Sequence, residues 1–284
     1  MRYPLLIGIW LMVQAVSWGQ DPFFIHFYNN ESTYNPALVG YRGALSVMMK
    51  YKSQWAGLGS ARFRTGNLAV EESLPCSIFD YGLNVRFDEE GAGIFRTRDF
   101  AFRFAGVVPF DVGASRHNLR MGAGFQWSYK SIDYNRLYFS DELDPKYGLT
   151  DALGLDLPTN FVPPNDGRSL WFFSPSVGLT HRILFNADNP RSPTLHYGVA
   201  VHNAFSLGKD EFTGNEESIL QIGTKIARRW SAFGTLEFLP YMQRGTFFSI
   251  KPSVLYENQG GLAYWEAGAK FSLNRLLALG CYYH

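Results

Sequence analysis

The chain has 284 residues, of which 17% are aromatic and only 18% charged, and a formal net charge of +1. A soluble domain carries about 25% charged residues, so this chain is short of the groups that keep a surface wet, and with no basic excess or Lys/Arg cluster no nucleic-acid partner is expected. Past the first residues no apolar run approaches the ~20 residues of a membrane helix, which leaves strands, with apolar residues two apart, as the means of crossing a bilayer.

Residues 1–19 carry an early Arg2, an apolar run from Leu5 to Val16, and the small residues Ser17 and Gly19. That pattern predicts a cleavable secretory signal peptide, with the mature chain starting near Gln20. No Cys follows the cut, so no lipid anchor is expected. Residues 20–42 are rich in aromatics, including Phe23, Phe24, Phe27, Tyr28 and Tyr34, and precede the first convincing strand. They read as a periplasm-facing segment that plugs the lumen of a barrel or docks a partner. Asn35-Pro36 is a common turn initiator. The first strand is expected at 43–55, closing on Gln54 and on Trp55, a residue suited to a membrane interface.

From there to residue 284 the sequence alternates. Leu119, Met121, Ala123, Phe125, Trp127 and Tyr129 share one face of a strand of period two, and Arg120, Gly122, Gly124, Gln126, Ser128 and Lys130 share the other. Tyr81 to Asp88, Phe100 to Ala105, Leu195 to His202 and Trp265 to Leu273 repeat the pattern. Arg or Lys on a lipid-facing surface costs ~2–4 kcal/mol at mid-bilayer, so the charged set points inward. The segments are 43–55, 62–72, 79–88, 95–108, 118–131, 170–185, 194–207, 217–228, 230–239, 246–257, 264–273 and 276–284. Each is near the length of a tilted membrane strand. The predicted fold is all-β, a transmembrane antiparallel β-barrel of about 12–14 strands over residues 43–284.

One interruption is long. Residues 131–169 hold Asp133, Asp141, Glu142, Asp144, Asp151, Asp156 and Asp166 with four prolines and no sustained alternation. The carboxylates lack the regular spacing of a calcium loop, so a solvated extracellular loop is the reading preferred over a metal site. Cys76 and Cys281 are too few for a disulfide framework, and two unpaired thiols are expected rather than a bridge. Neither stands at metal-ligand spacing from another Cys or His.

Some outer-membrane barrels hydrolyse lipids, and His181, His196, His202, Ser176 and Ser206 are the residues that could supply a Ser/His pair. No Gly-x-Ser-x-Gly occurs, and His196 and His202 fall on the polar face, where a hydrogen-bonded lumen histidine is the ordinary case. No enzyme, cofactor or metal is expected.

The order Tyr34-Asn35-Pro36-Ala37, then Gly40, a strand, Gln54-Trp55 with Gly57, and a second strand resembles the N-terminus of the PorP/SprF family, as do Gln20-Asp21-Pro22 with His26 to Asn29, and Lys251 to Val254. Those are outer-membrane proteins of the type IX secretion system in Bacteroidetes. The resemblance implies a barrel that works with the secretion and gliding machinery, contacting outer-membrane lipid, periplasmic machine components and a secreted adhesin. A general or solute-specific porin is the alternative. The partner-binding residues expected on this reading are Phe27, Tyr28, Tyr34, Asn35, Pro36, Gln54 and Trp55. The family's pattern continues beyond the segment like Leu276 to His284, towards roughly fourteen strands. Either a barrel incomplete at its C-terminus or one with more strands than these twelve segments is therefore expected.

Overall fold

The computed structural model describes residues 31–55, 63–74, 77–91, 95–162, 169–204, 227–243, 246–274 and 276–283. After a single helical turn α1 (Glu31–Tyr34) and a 3-10 turn η1 (Pro36–Leu38) the chain is almost wholly strand. The strands are β1 (Ser46–Gln54), β2 (Phe63–Ser73), β3 (Phe79–Glu90), β4 (Phe95–Val112), β5 (Ser115–Ile132), β6 (Ser169–Leu184), β7 (Thr194–His202), β8 (Arg229–Gln243), β9 (Thr246–Gln259), β10 (Leu262–Leu273) and β11 (Leu277–Tyr283). They form one eleven-stranded sheet in chain order, each strand antiparallel to the next.

Eleven of the expected segments coincide with these strands. The twelfth, 217–228, lies outside the described residues except for 227 and 228, which are not in a strand, and β7 pairs directly with β8 from Thr194↔Glu237 to His202↔Arg229. β7 also ends earlier than the predicted 207, because Asn203 turns to positive φ (55°). β4 and β5 run longer than predicted, to 18 residues each, joined by a tight turn at Gly113 (φ 60°). Among the described residues β1 and β11 are not hydrogen-bonded to each other, so the sheet keeps two free edges and the barrel wall is not closed.

The alternation holds in three dimensions. Leu83, Val85, Phe87, Phe100, Met121, Trp127, Tyr197, Val199 and Trp265 stand exposed on the outer face, while Asn84, Asp88, Arg103, Arg120, Ser128, His196, His202 and Glu266 are buried on the inner one. This inverts a soluble sheet, whose buried face is the apolar one. It is the arrangement a lipid-facing wall requires. On the outside an aromatic seam crosses β4, β5 and β6 through Phe100–Trp127 (6.4 Å), Trp127–Phe173 (5.1 Å) and Tyr129–Trp171 (4.7 Å). Such pairs add ~0.5–1.5 kcal/mol each beyond area burial.

The strand order sorts the connections by end. Gln54, the 133–168 connection between β5 and β6, and the 203–228 connection between β7 and β8 share one end, hereafter the long-loop end. The β2–β3, β4–β5, β6–β7, β8–β9 and β10–β11 turns share the other, the short-turn end. The described part of the long loop packs on itself. Phe139 stacks on Phe161 (4.2 Å), Tyr134 packs beside it (5.5 Å), and Asp144 bridges Gly148.

Candidate functional site

The inner face holds the residues that precede β1. Local chemistry shapes this segment first. Asn35, extended at φ −147°, caps η1 by accepting the Ala37 N–H on Oδ1 (2.9 Å), and Pro36 takes the first helical position, where its missing N–H costs nothing. The Asn35 amide then donates through Nδ2 to the carbonyls of Leu179 (3.2 Å) and Val199 (3.0 Å), which face each other across β6 and β7. One side chain thus makes the turn and fastens it to the wall.

Three further strands hold the same segment directly, and a fourth, β3, does so through an ion pair. Arg120 on β5 donates to the carbonyls of Ala37 (2.8 Å) and Val39 (2.5 Å) and pairs with Asp80 on β3 (2.6 Å). Glu71 on β2 accepts from Ser32 Oγ (2.5 Å) on one oxygen and from the Gly40 N–H (3.2 Å) on the other. The Tyr34 carbonyl accepts from Ser231 Oγ (2.5 Å) on β8 and from His202 Nε2 (2.9 Å) on β7. Donors and acceptors on β2 and β5 to β8 converge on one short stretch, so the sheet curls round it. Tyr34 and Leu38 close a small apolar cluster with Phe233 and Leu255, and Tyr41 stacks on His196 at 4.7 Å.

The glycines of the inner face explain how the backbone comes so close. A Cβ at Gly122 would lie 2.3 Å from the Ala37 nitrogen, and one at Gly178 only 2.1 Å from Asn35 Oδ1. Only glycine leaves the space that Asn35 to Ala37 fill.

Burial raises the Tyr34 and Tyr41 hydroxyl pKa values above the ordinary tyrosine range, and both stay neutral. Burial also raises the Glu31 carboxyl, against the opposing pull of Lys251 and Arg42. Two polar cavities flank the segment. One, of about 130 Å³, lies towards the long-loop end and is lined by Thr33, Arg86, Asp99, Lys130 and Arg229 among others. The other, of about 540 Å³, opens at the short-turn end.

Of the residues singled out in the sequence, Tyr34, Asn35 and Pro36 come together here, with Tyr34 6% and Asn35 1% exposed. Gln54 and Trp55 stand apart from them at the end of β1. Trp55 is 60% exposed, sits at positive φ (54°) and packs edge-on against Phe63. Phe27 and Tyr28 lie outside the described residues. Sequence reading missed Arg120, Asp80, Glu71, His202 and Ser231 as ligands of the segment, although the Gly-rich polar face was the visible trace of the space it fills.

Ser176 stands opposite His202 in register, but His202 Nε2 is committed to the Tyr34 carbonyl, and Ser176 makes no hydrogen bond to a histidine among the described residues. Ser206 lies outside them. No group of three or more His, Cys, Asp or Glu is placed to hold a metal ion among the described residues. In the long loop Asp141, Asp144 and Asp151 spend carboxylate oxygens on backbone N–H groups of Asn160, Lys146, Tyr147, Leu153 and Leu155. Cys281 is an exposed free thiol and Cys76 lies outside the described residues.

Comparison with known proteins gives one match. The family described as "Type IX secretion system membrane protein PorP/SprF" matches residues 16–284. No curated protein and no solved structure matches.

Proposed function

The chain belongs to the PorP/SprF family of type IX secretion system membrane proteins, and from that premise we propose that it is an exported outer-membrane barrel, plugged from within, that binds periplasmic machine components or a secreted adhesin rather than passing solutes. Residues 1–19 act as the signal peptide, 20–42 as the plug and its leader, and 43–284 as the wall. The observation that carries this reading is the seating of Ser32 to Gly40 on side chains or carbonyls of five strands. A diffusion pore has no use for a segment that fills its lumen.

Within the plug, Tyr34, Asn35 and Pro36 serve partners by fixing the segment's position, since little of their surface is open. Phe27 and Tyr28, which precede the plug in the chain, take part in contacting the periplasmic partner, and Gln54 and Trp55 mark the long-loop rim, where the long loops meet cargo. The short-turn end faces the periplasm and the long-loop end the exterior, in keeping with the asymmetry of outer-membrane barrels.

Two measurements on the full chain test this. Deleting Gln20 to Tyr34 abolishes copurification with secretion-system components while the barrel still inserts. In planar bilayers the intact chain shows no steady, large conductance. A large open pore from the intact chain establishes the porin instead, and undiminished copurification of the deletion variant overturns docking through this segment.

A further inference from the structure

At the short-turn end the β9–β10 ladder sets Lys251 directly opposite Lys270 on the inner face. Like charges directly opposed across a ladder repel. Three carboxylates and two further cations share that neighbourhood: Lys251 interacts electrostatically with Glu31, Glu237, Lys270 and Arg182. Glu31 in turn interacts with Lys251, Lys270 and Arg42. Glu71, also near Glu31, is bound to Ser32 and Gly40. Four cations, Arg42, Arg182, Lys251 and Lys270, therefore meet three carboxylates, Glu31, Glu71 and Glu237.

The cavity beside them is open to the short-turn end, for Asn189 and Ser192 of the β6–β7 turn line it together with Arg182, Glu237, Ser249 and Lys270. Its volume of about 540 Å³ is within the ~300–1,000 Å³ usual for ligand pockets. Hydroxyls on the wall suit the amide groups of an extended chain, and the cation excess suits carboxylates. One peptide segment already uses this chemistry: the helical turn α1 brings Glu31 into the field of Lys251, Lys270 and Arg42.

We infer that this chamber is a docking site for an acidic peptide segment of a periplasmic partner, whose carboxylates meet Arg182 and Lys270 beside the plug. The inference rests on the proposed function for the side from which the partner comes, and not for the chemistry. Charge steering from a partly enclosed basic chamber favours capture from that side and weakens with salt.

The test uses the full chain in detergent micelles and a fluorescent hexaglutamate peptide, with hexaserine and inorganic phosphate as comparators. Saturable binding of hexaglutamate is expected, weakened about tenfold in K270Q and again in R182Q, as for a lost charge-assisted contact. K146Q, on the exposed long loop, leaves it unchanged. Far-UV circular dichroism confirms that each variant keeps its sheet. Equal binding by the wild type, K270Q and R182Q overturns the site, as does absence of saturable binding. Full displacement by phosphate at equal concentration overturns the peptide assignment. If secretion components copurify with the wild type while hexaglutamate fails to bind, this inference falls and the proposed function stands.

Discussion

Arg120 and Asp80 form an ion pair 2.6 Å long, with side chains only 6% and 3% exposed, on the polar inner face of the sheet. Its Nε donates to the Ala37 carbonyl and its Nη2 to the Val39 carbonyl, so one residue joins two strands and the plug. Replacing it with methionine leaves Asp80 buried without its counter-charge, a loss of ~3–5 kcal/mol for a broken buried pair. R120M is expected to lower the denaturant midpoint of the inserted protein and to expose residues 31–41 to protease. R120K keeps the charge but not the planar fork, and lies between.

Gly122 and Gly178 predict a loss of plug seating without loss of the wall. A methyl at either position falls inside 2.5 Å of the plug, in backbone at Gly122 and in the Asn35 amide at Gly178. G122A and G178A are expected to cost ~1–3 kcal/mol, as overpacking does. That cost falls on the plug, and amide hydrogen exchange over 31–41 rises several-fold while β2 to β5 remain protected. If all strands lose protection together, the plug is not a separable unit.

Asn35 separates two roles by substitution. N35A loses the cap and both wall contacts, and ~1–2 kcal/mol is expected. N35D keeps an acceptor for the Ala37 N–H but turns a carboxylate towards the Leu179 and Val199 carbonyls. Aspartate is the commoner cap, yet N35D is expected to be the worse variant by hydrogen exchange over the same residues. Equal behaviour would mean that the wall contacts contribute little.

Charge placement tests the membrane-facing assignment. L83R puts a charge on the outer face of β3, beside the inner Asn84, and is expected to cost ~2–4 kcal/mol where the position is deep in the bilayer. N84R is tolerated better if the chain is inserted. Folding yields into lipid vesicles for the two variants decide it, and the reverse order would refute the lipid-facing wall.

The long loop has its own pH dependence. Asp141 accepts the Asn160 N–H (2.6 Å) and the Thr159 hydroxyl, and these bonds hold its carboxyl pKa below the ordinary value. A carboxylate with a lowered pKa gives stability that is complete above its unfolded value and lost as the pH falls through the folded one. Protection of the Asn160 amide is therefore expected to drop below about pH 4, near the ordinary Asp value, and to be low and flat with pH in D141A.

The barrel wall was legible because its information is local. Period-two alternation in 79–88 or 264–273 needs no knowledge of the neighbouring strand, and the observed strands fall within a few residues of the expected ones. The cap at Asn35 was legible for the same reason, as a turn signal within four residues. What could not be read is the pairing across the lumen. Arg120 looked like any inward charge, because its ligands Ala37 and Val39 lie 83 and 81 positions away and leave no periodic mark near it. The irregularity between Phe238 and Tyr241, next to Pro240, was likewise hidden, since a bulge shows itself only against the partner strand.

The plug also sets an order of events. Asn35 is translated long before Val199 and Ser231, its own and its neighbour's partners, which lie 164 and 197 positions further along. Contacts across such separations form late, after the intervening chain has closed. The segment that leaves the ribosome ahead of every strand is thus the last to be seated. Until β8 is in place it remains an accessible handle, on which an assembly factor has time to act.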